Sequence, residues 1–242
     1  MMEAATTAAT AIHGLLQNTH PLKAQWNRIP STPLPRSSHT LSVIAGRAYI
    51  FGGEISPREP IDNAMHILTL PSGSVSEADY RSIPASSTTN EVPEKRVGHT
   101  AAVIGERIFV FGGRGGKDMK PLQEGGRVWV YDTRSDTWSH LDPMPGTPFP
   151  AARSYHSSVA IAKPGDMKGV KVDNATEMPR VGAIAEGAQM DEEMGGYGTL
   201  FVHAGCPESG RTNDFWGFDV RSRTWKEFPA APGKGRGGVA LA

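Results

Sequence analysis

Apolar positions along this chain fall into short runs that end in glycine, proline or charged residues, a pattern of brief strands and turns rather than long amphipathic helices. The stretch "GRAYIFGG" at 46–53 is such a run, a strand of bulky residues closed by two glycines. It nearly repeats as "GERIFVFGG" at 105–113 and, less faithfully, as "GTLFVHAG" at 198–205. The similarity extends upstream. Arg36 opens "RSSHTLSVIAGRAYIFGG" and Arg96 opens "RVGHTAAVIGERIFVFGG", and in both the first glycine of the pair comes 16 residues after the arginine. A third copy opens at Arg153 with "RSYHSSVAIA", but its "FVHAG" puts Ala204 where the register expects residue 169, an excess of 35 residues.

That excess is best placed at about 163–197, a polar, Gly-rich segment without period, expected to be a loop inserted between two strands. Each copy then adds a third apolar stretch ("NAMHILTL", "GRVWVYD", "DFWGFDV") and, in the second and third, a tryptophan. Asp132 precedes Trp138 by six residues and Asp219 precedes Trp225 by six; the first copy has Thr69 at the Asp position and is degenerate. Four short strands per repeat make the unit of a β-propeller blade, which cannot bury both faces alone and therefore recurs. The expected fold is all-β, with about three complete four-stranded blades starting near 36, 96 and 153, a partial one at 236, and an incomplete ring.

Composition narrows the function classes. The 25 basic and 25 acidic residues balance, so no overall field favours nucleic acid or an anionic membrane. The 28 glycines and 19 prolines suit turns. A single cysteine, Cys206, excludes an internal disulfide and fits a cytoplasmic setting. Residues 1–20 have neither a basic start nor a gathered apolar core, and are expected to form a disordered tail ahead of the repeats at 21–242. No apolar run approaches the ~18 residues of a membrane span.

The arginine, the "GG" after a strand and the later tryptophan resemble the kelch repeat over residues 21–242 apart from the insertion. "PRSSHT", "FGGE" followed by "PIDN", "PEKRVGHT", "ARSYHSS", "GRTNDFWGFDV" and "KGRGG" resemble the branch containing nitrile-specifier and epithiospecifier proteins. The resemblance implies that the strand around Trp26 would be the outer strand of a last blade, and that the chain is truncated. Its blade starts would place Arg36, Arg96, Arg153 and Arg236 around one mouth of a central channel. Converging guanidinium groups favour a small anionic ligand, while the alternative is that each arginine stitches blades through backbone carbonyls. In that branch the positions of Arg96 and Arg153 are held to contact a sulfated substrate.

His39, His99 and His156 each follow an arginine by three residues; recurrence in every copy points to a shared structural task rather than a metal. Cys206 reads as a small, partly buried hydrophobe, and the loop at 114–126, which the resemblance places over the same region, reads as a plain mobile loop, the alternative being ligand contact. The branch is associated with Fe(II) and a Glu-xxx-Asp-xxx-His arrangement, which this sequence does not contain. The expectation is therefore no catalytic residue, metal ligand or cofactor in this chain, with Fe(II) and lyase-like activity left to a longer form. The function expected is a propeller scaffold for a protein partner or a small anion, without nucleic acid or membrane; the alternative is a nitrile-specifier-like activity on thiohydroximate sulfates.

Overall fold

A computed structural model describes residues 26, 28–72, 78–161 and 198–241. The inserted loop expected at about 163–197 and the tail expected at 1–20 lie outside these residues. The chain divides into Met1–Pro30 and Ser31–Ala242. No strand is present at Trp26 or at 28–30, and every sheet belongs to the second unit. Among the described residues there is no helix.

Three antiparallel four-stranded sheets follow one another along the chain. The first is β1 (Thr40–Ile44), β2 (Arg47–Phe51), β3 (Met65–Thr69) and β4 (Asp79–Ile83), in that spatial order. The second is β5 (Thr100–Ile104), β6 (Arg107–Phe111), β9 (Val128–Asp132) and β10 (Thr137–Leu141), with a two-stranded ribbon, β7 (Arg114–Gly115) and β8 (Lys120–Pro121), between β6 and β9. The third is β11 (Ser157–Ile161), β12 (Thr199–Gly205), β13 (Thr212–Asp219) and β14 (Thr224–Phe228). Each sheet is an up-and-down meander, and β5 lies against both β1 and β11, so the first strands of the three blades line up on the inside. Among the described residues no fourth sheet joins the third to the first, and the ring is open.

Local chemistry accounts for the hairpins. Ile44 pairs with Arg47, leaving the two-residue loop Ala45-Gly46, both at positive φ (47° and 74°). That is the type I′ geometry whose twist matches the flanking strands. In β6 every residue is buried because alternate side chains enter different cores. Ile108 and Val110 pack with Trp129, Tyr131 and Trp138 against Tyr49, Phe51, Met65 and Ile67 of blade one. Phe109 and Phe111 face the other way, onto Leu200, Val202, Trp216, Phe218 and Trp225 of blade three. Each such side chain contributes about 1.5–3 kcal/mol on removal from water, so a middle blade is stabilised only by having neighbours on both sides.

Candidate functional site

In each of the three blades the arginine lies beside the loop that leaves the second strand. Arg96 is completely buried. Its Nη1 donates to the Gly112 carbonyl (2.9 Å) and to Glu124 Oε2 (2.9 Å), its Nη2 to Glu124 Oε1 (2.7 Å), and its Nε to the Glu94 carbonyl (3.0 Å). Trp129 Nε1 donates to the same Glu124 oxygen at 2.8 Å. Arg153 repeats the arrangement, with bonds to the Ala204 carbonyl (3.0 Å), Asp214 Oδ1 (2.6 Å), Asp214 Oδ2 (2.7 Å) and the Ala151 carbonyl (2.9 Å), while Trp216 Nε1 donates to Asp214 Oδ2 at 2.8 Å.

In blade one Arg36 donates to the Gly52 carbonyl (3.0 Å) and to both Asp62 oxygens (3.5 and 3.2 Å). There the ring beside the carboxylate is His66, whose Nε2 lies 3.2 Å from each Asp62 oxygen and whose Nδ1 meets the Tyr80 hydroxyl at 2.8 Å. Each arginine is thus held by a carbonyl of its own blade and a bidentate carboxylate, the strongest neutralising geometry open to a guanidinium. Arg236 differs. It donates to the Lys234 and Pro232 carbonyls and has no carboxylate partner among the described residues.

The same residues build the seams between blades. Gly53 N donates to the Arg96 carbonyl (2.9 Å), Gly113 N to that of Arg153 (2.8 Å) and Gly205 N to that of Arg236 (2.8 Å). His99 Nε2 shares a hydrogen bond with the Thr40 hydroxyl of the preceding blade (2.9 Å), and His156 Nε2 with that of Thr100 (2.8 Å). The histidine rings sit edge-on to Phe51 and Phe111 at 5.2 and 5.4 Å, and Trp138 and Trp225 cover the same phenylalanines at 4.8 and 4.9 Å. Close fit explains the glycines: a Cβ at Gly112 would stand 2.6 Å from the Arg153 carbonyl oxygen and 2.9 Å from His156 Cε1. One at Gly52 would stand 2.6 and 2.7 Å from the matching atoms of Arg96 and His99.

Electrostatics follow burial. Desolvation, aided by the Arg153 charge, lowers the His156 pKa to about 3, and desolvation with the Arg96 charge holds His99 well below its ordinary value. Both rings are therefore neutral at physiological pH, and each shares its seam hydrogen bond with a threonine hydroxyl without a buried charge. Burial alone would raise the Asp214 carboxyl, but the Arg153 hydrogen bonds and charge outweigh it and leave the pKa lowered.

Beside these arginines, loops among the described residues line clefts. One, of about 910 Å³, is lined by Ile55, Arg58, Pro60, Ile61, Lys95 and Lys117 among others. The second, of about 570 Å³, is lined by Glu91, Glu94, Glu124, Arg127 and Trp129 and their neighbours. In the second, Arg127 bonds Asp142 and Glu91 and lies over the Trp129 ring at 5.2 Å.

The sequence profile of the KLHDC2/KLHL20/DRC7 Kelch-repeats domain matches residues 18–167. The chain belongs to the kelch-repeat family. Among curated kelch and related proteins it is 34% identical over 141 residues to an N-(sulfonatooxy)prop-2-enimidothioate sulfolyase of Thlaspi arvense, covering 56% of this chain and 37% of that protein. It is 28% identical over 120 residues to Kelch domain-containing protein 1 of Mus musculus, covering 48% and 25%, and 23% identical over 218 residues to Kelch-like protein 40 of Xenopus laevis, covering 90% and 26%. The chain spans about a quarter to two fifths of the length of these relatives.

Of the four kelch arginines expected at the mouth, Arg36, Arg96 and Arg153 stand at equivalent blade positions with internal carboxylates, and Arg236 stands beside blade three with none among the described residues. The partners that sequence reasoning missed are Asp62, Glu124 and Asp214. Their signal is the distance from each arginine: 26 and 28 residues in the first two blades, and 61 in the third, which falls to 26 once the 35-residue excess is removed. Cys206 is half-buried, and its backbone pairs with that of Ser154. The loop at 114–126 carries the β7–β8 ribbon, whose Lys120 meets Glu208 of the next blade at 2.8 Å. The iron that the nitrile-specifier branch implies has no fitting donor set among the described residues: no three His, Cys, Asp or Glu side chains converge, and His99 and His156 are spent on seam hydroxyls. No helix among the described residues is long and apolar enough to cross a membrane.

Proposed function

We propose that this kelch scaffold binds a protein partner through the loops at the arginine end of its blades, with Arg36, Arg96 and Arg153 tensioning those loops from within. The observation that carries this reading is the contrast in charge pairing. The three inner arginines are matched by carboxylates of the same blade, whereas the cations of the larger cleft, Arg58, Lys95 and Lys117, have no ion pair among the described residues. Buried, paired charges hold structure, while unpaired ones at a concave surface remain free to meet a ligand. A small anion is accommodated in the same reading at Arg236, whose guanidinium is bonded, among the described residues, to carbonyls alone.

Amine-directed crosslinking of the chain in a cell extract tests this. Crosslinks to a single partner should begin at Lys95, Lys117 and Lys120 on the loop face and not at Lys226 on the outer strand β14. Crosslinks spread evenly over both would contradict it.

A second reading, a nitrile-specifier-like activity on glucosinolate-derived thiohydroximate sulfates, is favoured by the 34% identity to the Thlaspi arvense sulfolyase. On that reading Arg96 and Arg153 would bind the sulfate by exchanging Glu124 and Asp214 for it. Incubation with a glucosinolate, a thioglucosidase and Fe(II) should then raise nitrile over isothiocyanate; an unchanged product ratio removes it.

A further inference from the structure

The larger cleft has a wall from each of two blades. Its first wall, the loop after β2, is built by its own hydrogen bonds: Arg58 N donates to Glu54 Oε2 (2.7 Å), Glu59 N to the Ser56 carbonyl (3.2 Å) and Ile61 N to the Gly53 carbonyl (3.0 Å). Arg58 accepts a positive φ of 68° to close that turn. The second wall is Lys95 with Gly116 and Lys117 of the next blade. Asn63 Nδ2 ties the two, donating to the Pro93 carbonyl at 3.0 Å, and Gly53 N reaches the Arg96 carbonyl beside Lys95. The cleft is thus formed before any ligand arrives, which spares a partner the cost of ordering it.

Its chemistry is mixed in a specific way. Three cations, on three separate segments, face one lining carboxylate, Glu59, although the whole chain is neutral. Between them Ile55 and Ile61 are 58% and 36% exposed, an apolar surface with nothing over it among the described residues. The neighbouring smaller cleft is no rival. Its Glu91 and Glu124 hold Arg127 and Arg96, and the carboxylate of its Glu94 adds negative charge, so among the described residues it offers no free cation to an anion.

We propose that the cleft lined by Ile55, Arg58, Ile61, Lys95 and Lys117 binds an acidic segment of a partner protein, an extended stretch carrying aspartate or glutamate on either side of one aliphatic or aromatic side chain. The proposal rests on the scaffold reading above and names the partner's chemistry. Lysine and arginine at the rim attract the carboxylates and make association salt-dependent, while the isoleucines give the apolar side chain a place to leave water. A cleft of about 910 Å³ holds several residues of peptide, far more than a single tetrahedral anion would fill.

Fluorescence anisotropy with labelled ten-residue peptides tests it: one of alternating aspartate and glutamate around a central leucine, one with the leucine replaced by serine, and one with lysine in place of every acid. The first should bind, the second about tenfold more weakly, and the third not at all. A Lys95→Glu/Lys117→Glu chain should lose at least about tenfold for the first peptide, whereas Arg47→Glu, at the other end of β2, should not. Equal unfolding midpoints of the two variant chains show that lost binding is not lost folding.

Binding of the lysine peptide instead, or failure of all three, overturns the acidic-segment assignment without touching the scaffold reading, which the crosslinking pattern decides. Acidic-peptide binding that survives Lys95→Glu/Lys117→Glu places the site elsewhere. Displacement by millimolar sulfate with no effect of the leucine makes it a small-anion site. Each of these results contradicts the proposal.

Discussion

The seam between blades two and three and the seam between blade three and residues 236–241 share a backbone but differ in side chains. In both, the second residue of the small pair donates to an arginine carbonyl at 2.8 Å: Gly113 to Arg153, Gly205 to Arg236. A second bond follows in each, Tyr155 N to the Gly98 carbonyl and Gly238 N to the Tyr155 carbonyl, both at 2.7 Å. Then the two diverge. The interior seam has Gly112, His156 and the Arg153–Asp214 pair; the terminal one has Ala204, Val239 and an Arg236 with no carboxylate among the described residues. Backbone bonds therefore set the angle at which a blade meets the next, and the side chains decide how firmly the seam is locked. Where a histidine must fit, only glycine leaves room. Where valine stands at the histidine position, alanine is accepted even at a φ of 61°.

The largest break in this comparison comes from the arginines. Arg153→Ala or Arg96→Ala leaves a carboxylate without its partner beside the core and should cost roughly 3 kcal/mol in urea unfolding. Arg236→Ala, which removes only two carbonyl contacts at the surface, should stay within about 0.5 kcal/mol. Next comes the small-residue position. Gly112→Ala forces a Cβ onto the Arg153 carbonyl and should cost about 2 kcal/mol or more, while the reciprocal Ala204→Gly should be neutral or stabilise by up to about 1 kcal/mol.

Acid distinguishes the seams as well. A native pKa of about 3 for His156, below its ordinary value of 6.5, means that the unfolded chain binds a proton that the folded one refuses. The contribution to stability is complete above pH 6.5 and is lost as pH falls toward 3, with His99 acting in the same direction. Between pH 6.5 and 4.5, ahead of most carboxylate titration, the urea midpoint should fall, and His156→Gln should flatten that slope. A graft tests the same dependence in reverse. Val239→His alone should destabilise by about 1 kcal/mol by crowding Ala204, and adding Ala204→Gly should recover most of the loss.

How much of this was legible in the chain depended on which parts obey a period. The all-β kelch architecture was, because β2, β6 and β12 are runs of bulky residues closed by small ones, a pattern that backbone register alone imposes. Seams were half legible: the regular spacing of Arg, His and Gly marked them, but not that histidine and glycine depend on each other across blades. The clasps were legible only in the spacing of each carboxylate from its arginine, and in no local motif. Asp62 lies four residues before His66, Glu124 five before Trp129 and Asp214 two before Trp216, because carboxylates on loops reach a guanidinium from several backbone positions. Nor did the cleft show itself, since Arg58, Lys95 and Lys117 come from segments that a charge count of the whole chain averages to zero.

The central claim, that the blade arginines serve the fold through their carboxylates, is tested most directly by a double-mutant cycle on Arg96 and Glu124. Urea unfolding of Arg96→Met, Glu124→Gln and the double variant should give a coupling energy of about 2 kcal/mol or more, the double variant being more stable than the sum of the singles predicts. Additivity within about 0.5 kcal/mol would show that the pair does not hold the blade, and would return Arg96 to the role of a free anion-binding group.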